Sequence, residues 1–258
     1  MNKLNFGCGT RVAEGWVNID FTSGDPRVQS VNLLKGLPFP DNSFDAVYSS
    51  HVLEHFTKAQ AAALLNEARR VLKPGGILRI VVPDFENICT EYFRVISLPE
   101  DDARKPEFYK WVMIEMLDQM TRMKSGGEMR KFYNEILSDE VKHAEIINYV
   151  RQRATFFTEK AKPKKTFRWL ALYLKIIKHL IPRSLRPMVY VDTYRGERHQ
   201  WMYDRYGMAL LVRESGFAGG EVKTFDDSRI PGFNDDRLDC NADGTPYKHS
   251  SLYFEAVK

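Results

Sequence analysis

Cysteine is scarce in this 258-residue chain: Cys8, Cys89 and Cys240 lie far apart, with no CxxC spacing among them. An odd number of scattered thiols excludes a disulfide scaffold or a zinc ribbon and fits a reducing, cytoplasmic setting. Long apolar runs are also missing. The most hydrophobic stretch, FRWLALYLKIIKHLIPRSLRP, is interrupted by Arg168, Lys175 and Lys178, too many charges for a bilayer span. The opening MNKLNFGCGT has no apolar signal region, and no secretory leader is expected. With 16 Gly, 12 Pro, 43% apolar and 28% charged residues, the chain is neither collagen-like nor disordered, and it is long enough for one large core with an appendage. Positive charge is lacking over most of the sequence. The net charge is +4, yet residues 160–188 hold nine Lys or Arg and no acid, so the remainder is mildly acidic. No nucleic-acid partner is expected, because such proteins spread cations over a face of the fold.

What is present reads as alternating strands and helices. Leu4–Phe6, Gly15–Asp20, Val28–Leu33 and Phe44–Ser50 are strand candidates. Thr57, with Gln60 three residues on, starts a helix whose apolar residues Ala61, Leu64, Leu65, Ala68, Val71 and Leu72 share one face. Lys73-Pro74-Gly75-Gly76 is expected to stop it, and Ile77–Val82 follows as an apolar strand. The pattern then turns helical from Phe85 to about Ala161. Asp204 is expected to cap a late helix ending at Gly216, followed by strands Glu221–Phe225 and Ser251–Val257 around a long polar loop, Asp226–His249. Strands separated by helices imply an α/β fold with a mostly parallel sheet. Three parts are expected: 1–84, 85–200 as a helical insertion over the acceptor, and 201–258 completing the sheet.

Gly7-Cys8-Gly9 directly after a strand is a tight turn where backbone can approach a ligand, and Asp20 ends the next strand, where an acid can take ribose hydroxyls. A nicotinamide dinucleotide site is disfavoured, because the GxGxxG pattern has Val12 at its third glycine. Cys8 reads as a small turn residue and not as a nucleophile.

Taken in order, LNFGCGT, GWVNID, LPFPDNSFDAVYSSHVLEHF and EARRVLKPGGILRIVVPD resemble the class I S-adenosylmethionine-dependent methyltransferases over residues 4–84. The resemblance implies a Rossmann-like fold with a seven-stranded sheet and S-adenosyl-L-methionine as cofactor. It implies cofactor contacts from Phe6, Gly7, Cys8 and Gly9, from Asp20, from Asn32 and Leu33 beside the adenine, and from Ser50 and His51 near the methyl group. Only ten residues separate Gly9 from Asp20, which suggests a shortened loop in place of a first helix. RGERHQWMYD and the ending DGTPYKHSSLYFEAVK look like bacterial methyltransferases of glycan and polysaccharide biosynthesis, implying O-methylation of a sugar hydroxyl on a glycan, glycolipid or nucleotide-sugar. A small metabolite or phenol is the alternative acceptor, and a non-catalytic cofactor-binding subunit is the alternative to an enzyme.

A hydroxyl acceptor needs a general base, and His51 and His199 are the two candidates. His51-x-x-Glu54-His55 has the spacing of a metalloprotease pattern, but that pattern lies within a helix and here spans a strand end and loop, which excludes the protease. Some similar methyltransferases place Glu-x-x-Glu-His here and hold a divalent cation. With His51 in the first position no metal is assigned, and Glu54 and His55 are expected to cap and anchor the next helix. The Arg195–Tyr203 stretch reads as an acceptor surface or as a packed helix entry. Residues 160–188 read as a helix lying on an anionic membrane surface or as a core or homodimer helix.

Overall fold

The computed structural model describes residues 1–154 and 197–258, with isolated positions 176, 180 and 182. Apart from those three positions the basic segment 160–188, and with it the expectation of membrane or dimer contact, lies outside the described residues. No helix among the described residues is long and apolar enough to cross a membrane.

Seven strands form one sheet in the order β3-β2-β1-β4-β5-β7-β6. Strands β1 (Lys3–Phe6), β2 (Trp16–Asp20), β3 (Val28–Ser30), β4 (Phe44–Ser50) and β5 (Leu72–Pro83) pair in parallel. β7 (Ser251–Val257) runs antiparallel to both β5 and β6 (Gly220–Lys223), so the sheet is mixed with one reversed strand. The chain reverses its direction of winding between β1 and β4, which opens a crevice at the carboxyl ends of those strands.

Helix α1 (Lys58–Val71) begins where the sequence places it. Thr57 N donates to Gln60 Oε1 at 3.0 Å and Gln60 N to Thr57 Oγ1 at 3.3 Å, so each side-chain oxygen satisfies the other residue's orphan amide. Its buried face packs into the larger core with Leu4, Phe6, Leu78 and Ile80 of the central strands. Two strand boundaries differ from expectation. β3 stops at Ser30 because Asn32 accepts from Leu34 N at 3.1 Å and turns Leu33–Lys35 into a 3-10 turn. β5 starts at Leu72, five residues early, because Leu72 pairs with Phe44 before a register shift carries the ladder on to Ile77 and Ala46.

Helix α2 (Phe85–Ile96) follows β5, and α6 (Arg205–Glu214), capped by Asp204 through Gly207 N at 2.6 Å, precedes β6. No strand interrupts 85–154, where α3 (Lys105–Thr121), α4 (Gly127–Ile136) and α5 (Ala144–Arg153) follow. The chain divides into two compact units, Met1–Arg94 with His199–Lys258, and Val95–Arg198. In the second unit Trp111 and Val112 of α3, Phe132 and Ile136 of α4, and Ile146, Ile147 and Val150 of α5 are buried.

The long loop before β7 is held from beneath the sheet. Arg79 of β5, fully buried, meets Asp239 at 2.7 Å and Glu255 at 2.9 Å, and its remaining hydrogens go to the carbonyls of Asp227 and Thr224. Tyr48 of β4 also donates to Asp239.

Candidate active site

Because β1 to β4 run parallel in register, the ends of all four reach one edge of the sheet. Gly7, Cys8 and Gly9 leave β1 there, Asp20 ends β2, Asn32 and Leu33 follow β3, and Ser50 and His51 end β4. The turn is fastened to the neighbouring strand: Gly7 N and Cys8 N both donate to Ile19 O, at 2.8 and 3.1 Å. Gly7 and Gly9 have φ of +66° and +53°, the left-handed region that glycine takes without strain. A Cβ on Gly7 would stand 2.3 Å from Val52 Cγ2, whereas one on Gly9 would meet no atom within 4 Å. The first glycine is therefore required by packing, and the second leaves its face open.

The loop between Gly9 and Trp16 holds no helix, as the short spacing implies. Buried Asn18 organises it, accepting from Asn5 Nδ2 at 3.0 Å and Ala13 N at 3.1 Å and donating to Ala13 O at 2.9 Å. Asp20 Oδ2 accepts from Gly9 N at 2.8 Å, while Oδ1 has only a long contact from Thr22 N at 3.4 Å. The residues present fit S-adenosylmethionine: an open glycine face would take the methionine portion, and a carboxylate oxygen facing outward would take the ribose hydroxyls. Cys8 is buried, and burial, with the charge of Asp20, pushes its thiol up to about 11, which rules it out as a nucleophile at neutral pH. Asn32 spends its side-chain oxygen on Leu34 N, and Phe6 lies fully inside the core.

At the end of β4 the backbone turns sharply. His51 has φ +54°, uncommon for a residue with a side chain, and its amide still bonds Val81 O at 2.8 Å. Its ring is held at both nitrogens: Nε2 is 2.9 Å from Ser251 Oγ, and Nδ1 is 3.2 Å from Glu54 Oε1. Burial and the nearby Lys248 lower the His51 pKa to about 4 against the opposing pull of Glu54, so the imidazole is neutral at physiological pH. Glu54 is fully buried, and neither of its oxygens makes a well-aligned hydrogen bond. Burial alone would raise its pKa, but the rings of His51, His55 and His199 overcome this and hold the carboxyl at about 2.

The sequence separates His199 from this loop, and the fold brings them together. Gln200 N and Trp201 N both donate to the Glu54 carbonyl, at 2.6 and 3.3 Å, which sets His199 edge-on against His55 with ring centroids 5.0 Å apart. One ligand atom each from Glu54, His55 and His199 lies within 4.8 Å of the others, a donor set able to hold a metal ion. Glu54 and His55 do not cap α1, a correction to the sequence expectation, since Thr57 and Gln60 already close that helix start. The expected acceptor surface at Arg195–Tyr203 is also largely committed elsewhere. Glu197 accepts from Ser125 Oγ and Arg122 Nη1, both at 3.2 Å, Arg198 donates to Met120 O, and Tyr203 is buried in the core. Gln200 and Trp201 are exposed, with Lys58 Nζ 4.1 Å over the Trp201 ring. Arg195 and Gly196 lie outside the described residues.

Residues 20–80 match the family model described as "Methyltransferase domain". The chain is 42% identical over 89 residues to a demethylmenaquinone methyltransferase of Corynebacterium kroppenstedtii, covering 30% of this chain and 38% of that protein. It is 35% identical over 103 residues to a ubiquinone/menaquinone biosynthesis C-methyltransferase of a Ruegeria species, covering 40% and 32%. The curated relatives are thus matched over well under half of their own length. Among solved structures, an S-adenosylmethionine-dependent methyltransferase from Mesorhizobium loti aligns over 100% of this chain and 90% of that one, with 14% identity and a TM-score of 0.39. The matched stretch carries Asp20 and the β4-α1-β5 run, and over it the chain is similar to methyltransferases.

Proposed function

We propose that this chain methylates a hydroxyl-bearing acceptor, with a sugar hydroxyl as the acceptor class, at the carboxyl edge of its sheet. The observation that carries the reading is the glycine turn, whose second glycine, Gly9, is open on one face while its amide is tied to Asp20. When bound, S-adenosylmethionine supplies an electrophilic methyl group on a sulfonium. The chain's own task is to align an acceptor oxygen with that methyl and to receive the acceptor's proton. His51 is the group we assign to the proton, because it ends β4 beside the turn and is fixed by Ser251 and Glu54. His199, 6% exposed and packed on His55, is the weaker candidate for that role. The exposed indole of Trp201 beside Lys58 supports a sugar acceptor, since an aromatic face with an adjacent donor suits a sugar ring. The quinone-pathway names of the relatives favour a second reading, a phenolic or quinol acceptor.

Incubation of the protein with methyl-labelled S-adenosylmethionine and host extract, followed by fractionation, tests the proposal. Label in carbohydrate or glycolipid is the expected result, and label in the quinone fraction establishes the second reading. Absence of both cofactor binding and label refutes enzyme function. The Asp20→Ala variant is expected to weaken cofactor binding by about 1–3 kcal/mol, the cost of leaving hydroxyls unpaired, and unchanged affinity by calorimetry overturns the role given to Asp20.

A further inference from the structure

We propose that Glu54, His55 and His199 form a binding site for one divalent first-row transition ion of the zinc or iron(II) class, and that His199 is a metal ligand instead of a base. The argument starts from Glu54. A carboxylate with no exposed surface and no well-aligned hydrogen bond to either oxygen is expensive to keep charged unless cations or donors face it. What faces it is a set of imidazoles. His55 Nε2 is 3.9 Å from Glu54 Oε1, and the three donor atoms of Glu54, His55 and His199 lie within 4.8 Å of one another.

Those spacings suit an ion after small adjustments. Metal–nitrogen and metal–oxygen bonds near 2.1 Å at a tetrahedral angle put donor atoms roughly 3.4 Å apart, so side-chain rotations of about 1 Å close the set. Its frame is fixed independently by backbone, because the Glu54 carbonyl takes both Gln200 N and Trp201 N and thereby holds the residue next to His199. His51 completes the arrangement from outside. With Nδ1 toward Glu54 Oε1 and Nε2 on Ser251, it stands where an outer-shell imidazole orients a ligating carboxylate.

The donor chemistry selects the ion. Two imidazoles and one carboxylate suit zinc or a non-haem iron(II), each of which leaves further positions open, whereas magnesium and calcium call for oxygen ligands. A Cβ on Gly7 would strike Val52, two residues before Glu54, so the loop that carries Glu54 and His55 packs on the glycine turn within the same unit.

Titration calorimetry on the chelator-stripped full chain with ZnCl2 tests the site without any need for turnover. One Zn2+ per chain is expected, with Glu54→Gln and His199→Ala each weakening binding at least tenfold, and with CoCl2 giving visible d–d bands that both variants lose. His143→Ala, at a histidine of the other unit that pairs with Glu107, is expected to leave binding unchanged. If Glu54→Gln fails to give a native melting transition, His199→Ala and His55→Ala decide the matter. Absence of stoichiometric binding, affinity unchanged in the His variants, or MgCl2 competing on equal terms overturns the proposal. A parallel titration of the same stripped chain with S-adenosylhomocysteine reads the cofactor site alone, so that failure of one proposal is not mistaken for failure of the other.

Discussion

Gly7 and Gly9 share a turn and a sign of φ, yet alanine at the two positions should do different damage. At Gly7, φ +66° costs an L-residue about 1–2 kcal/mol, and the new methyl would sit 2.3 Å from Val52 Cγ2. Val52 is 9% exposed and packed in the main core, so it has little room to retreat, and overpacking adds about 1–3 kcal/mol. Gly7→Ala should therefore lower folding stability by about 2–5 kcal/mol. At Gly9, φ +53° carries the same backbone cost of about 1–2 kcal/mol, but the added methyl meets nothing within 4 Å. It projects instead into the face assigned to the cofactor. Gly9→Ala should thus stay within about 2 kcal/mol of the parent in stability while losing at least tenfold in S-adenosylhomocysteine affinity, about 1.4 kcal/mol. Urea unfolding and titration calorimetry on both variants provide the comparison. Full affinity in Gly9→Ala would show that no ligand lies against that face, and a Gly7→Ala protein as stable as Gly9→Ala would show that the Val52 wall yields freely.

Three further perturbations test the rest of the frame. Arg79→Met removes the buried partner of Asp239 and Glu255 and should cost about 3–5 kcal/mol, because two carboxylates lose their counter-charge; a loss under about 1 kcal/mol in denaturant unfolding would contradict this. The hydrogen bond from Arg70, supported by Leu37 N, lowers the Glu67 pKa below its unfolded value of about 4.3. Its contribution is therefore fully present above about pH 4.3 and is lost as pH falls through the lower folded value. The stability gap between the parent and Glu67→Gln should narrow under acid, and a gap independent of pH between 6 and roughly 3 would refute the assignment. Cys8, raised to about 11 by burial and Asp20, should react with iodoacetamide at pH 8 on the order of 100-fold more slowly than in the denatured chain. Equal rates by peptide mapping would show that the turn is open around the thiol.

The legible parts of the fold were those encoded locally. Thr57 and Gln60 close their own helix, Asp204 caps α6 from three residues away, and the alternation of strand and helix gives the parallel sheet. The misplaced boundaries are those decided by a remote partner or by a side chain competing with the ladder. Lys73-Pro74-Gly75-Gly76 has the composition of a stop, yet β5 runs through it because Leu72 pairs with Phe44, Gly75 N finds Lys258 O at 3.0 Å, and Lys258 N finds Gly76 O at 3.0 Å. Arg79 reads in sequence as a break in an apolar strand. Only the return of Asp239 and Glu255 from the far end of the chain makes it a buried anchor.

The candidate site divides along the same line. Gly7, Gly9 and Asp20 bond to one another's strands locally, so the turn they form follows from their spacing, while the cofactor role given to them came from the family resemblance. His199 does not: its relation to Glu54 depends on two backbone hydrogen bonds from Gln200 and Trp201 across the fold, and residue type carries no trace of them. One signal was nevertheless available. Once Thr57 and Gln60 satisfy the start of α1, Glu54 has no cap to make, and its neighbours Val52 and Leu53 are buried apolar residues that place it inside. A carboxylate driven into the core without a helix to serve needs cationic or donor partners. Histidines stand on both sides of Glu54 in sequence, whereas the third imidazole, His199, reaches it only through the fold.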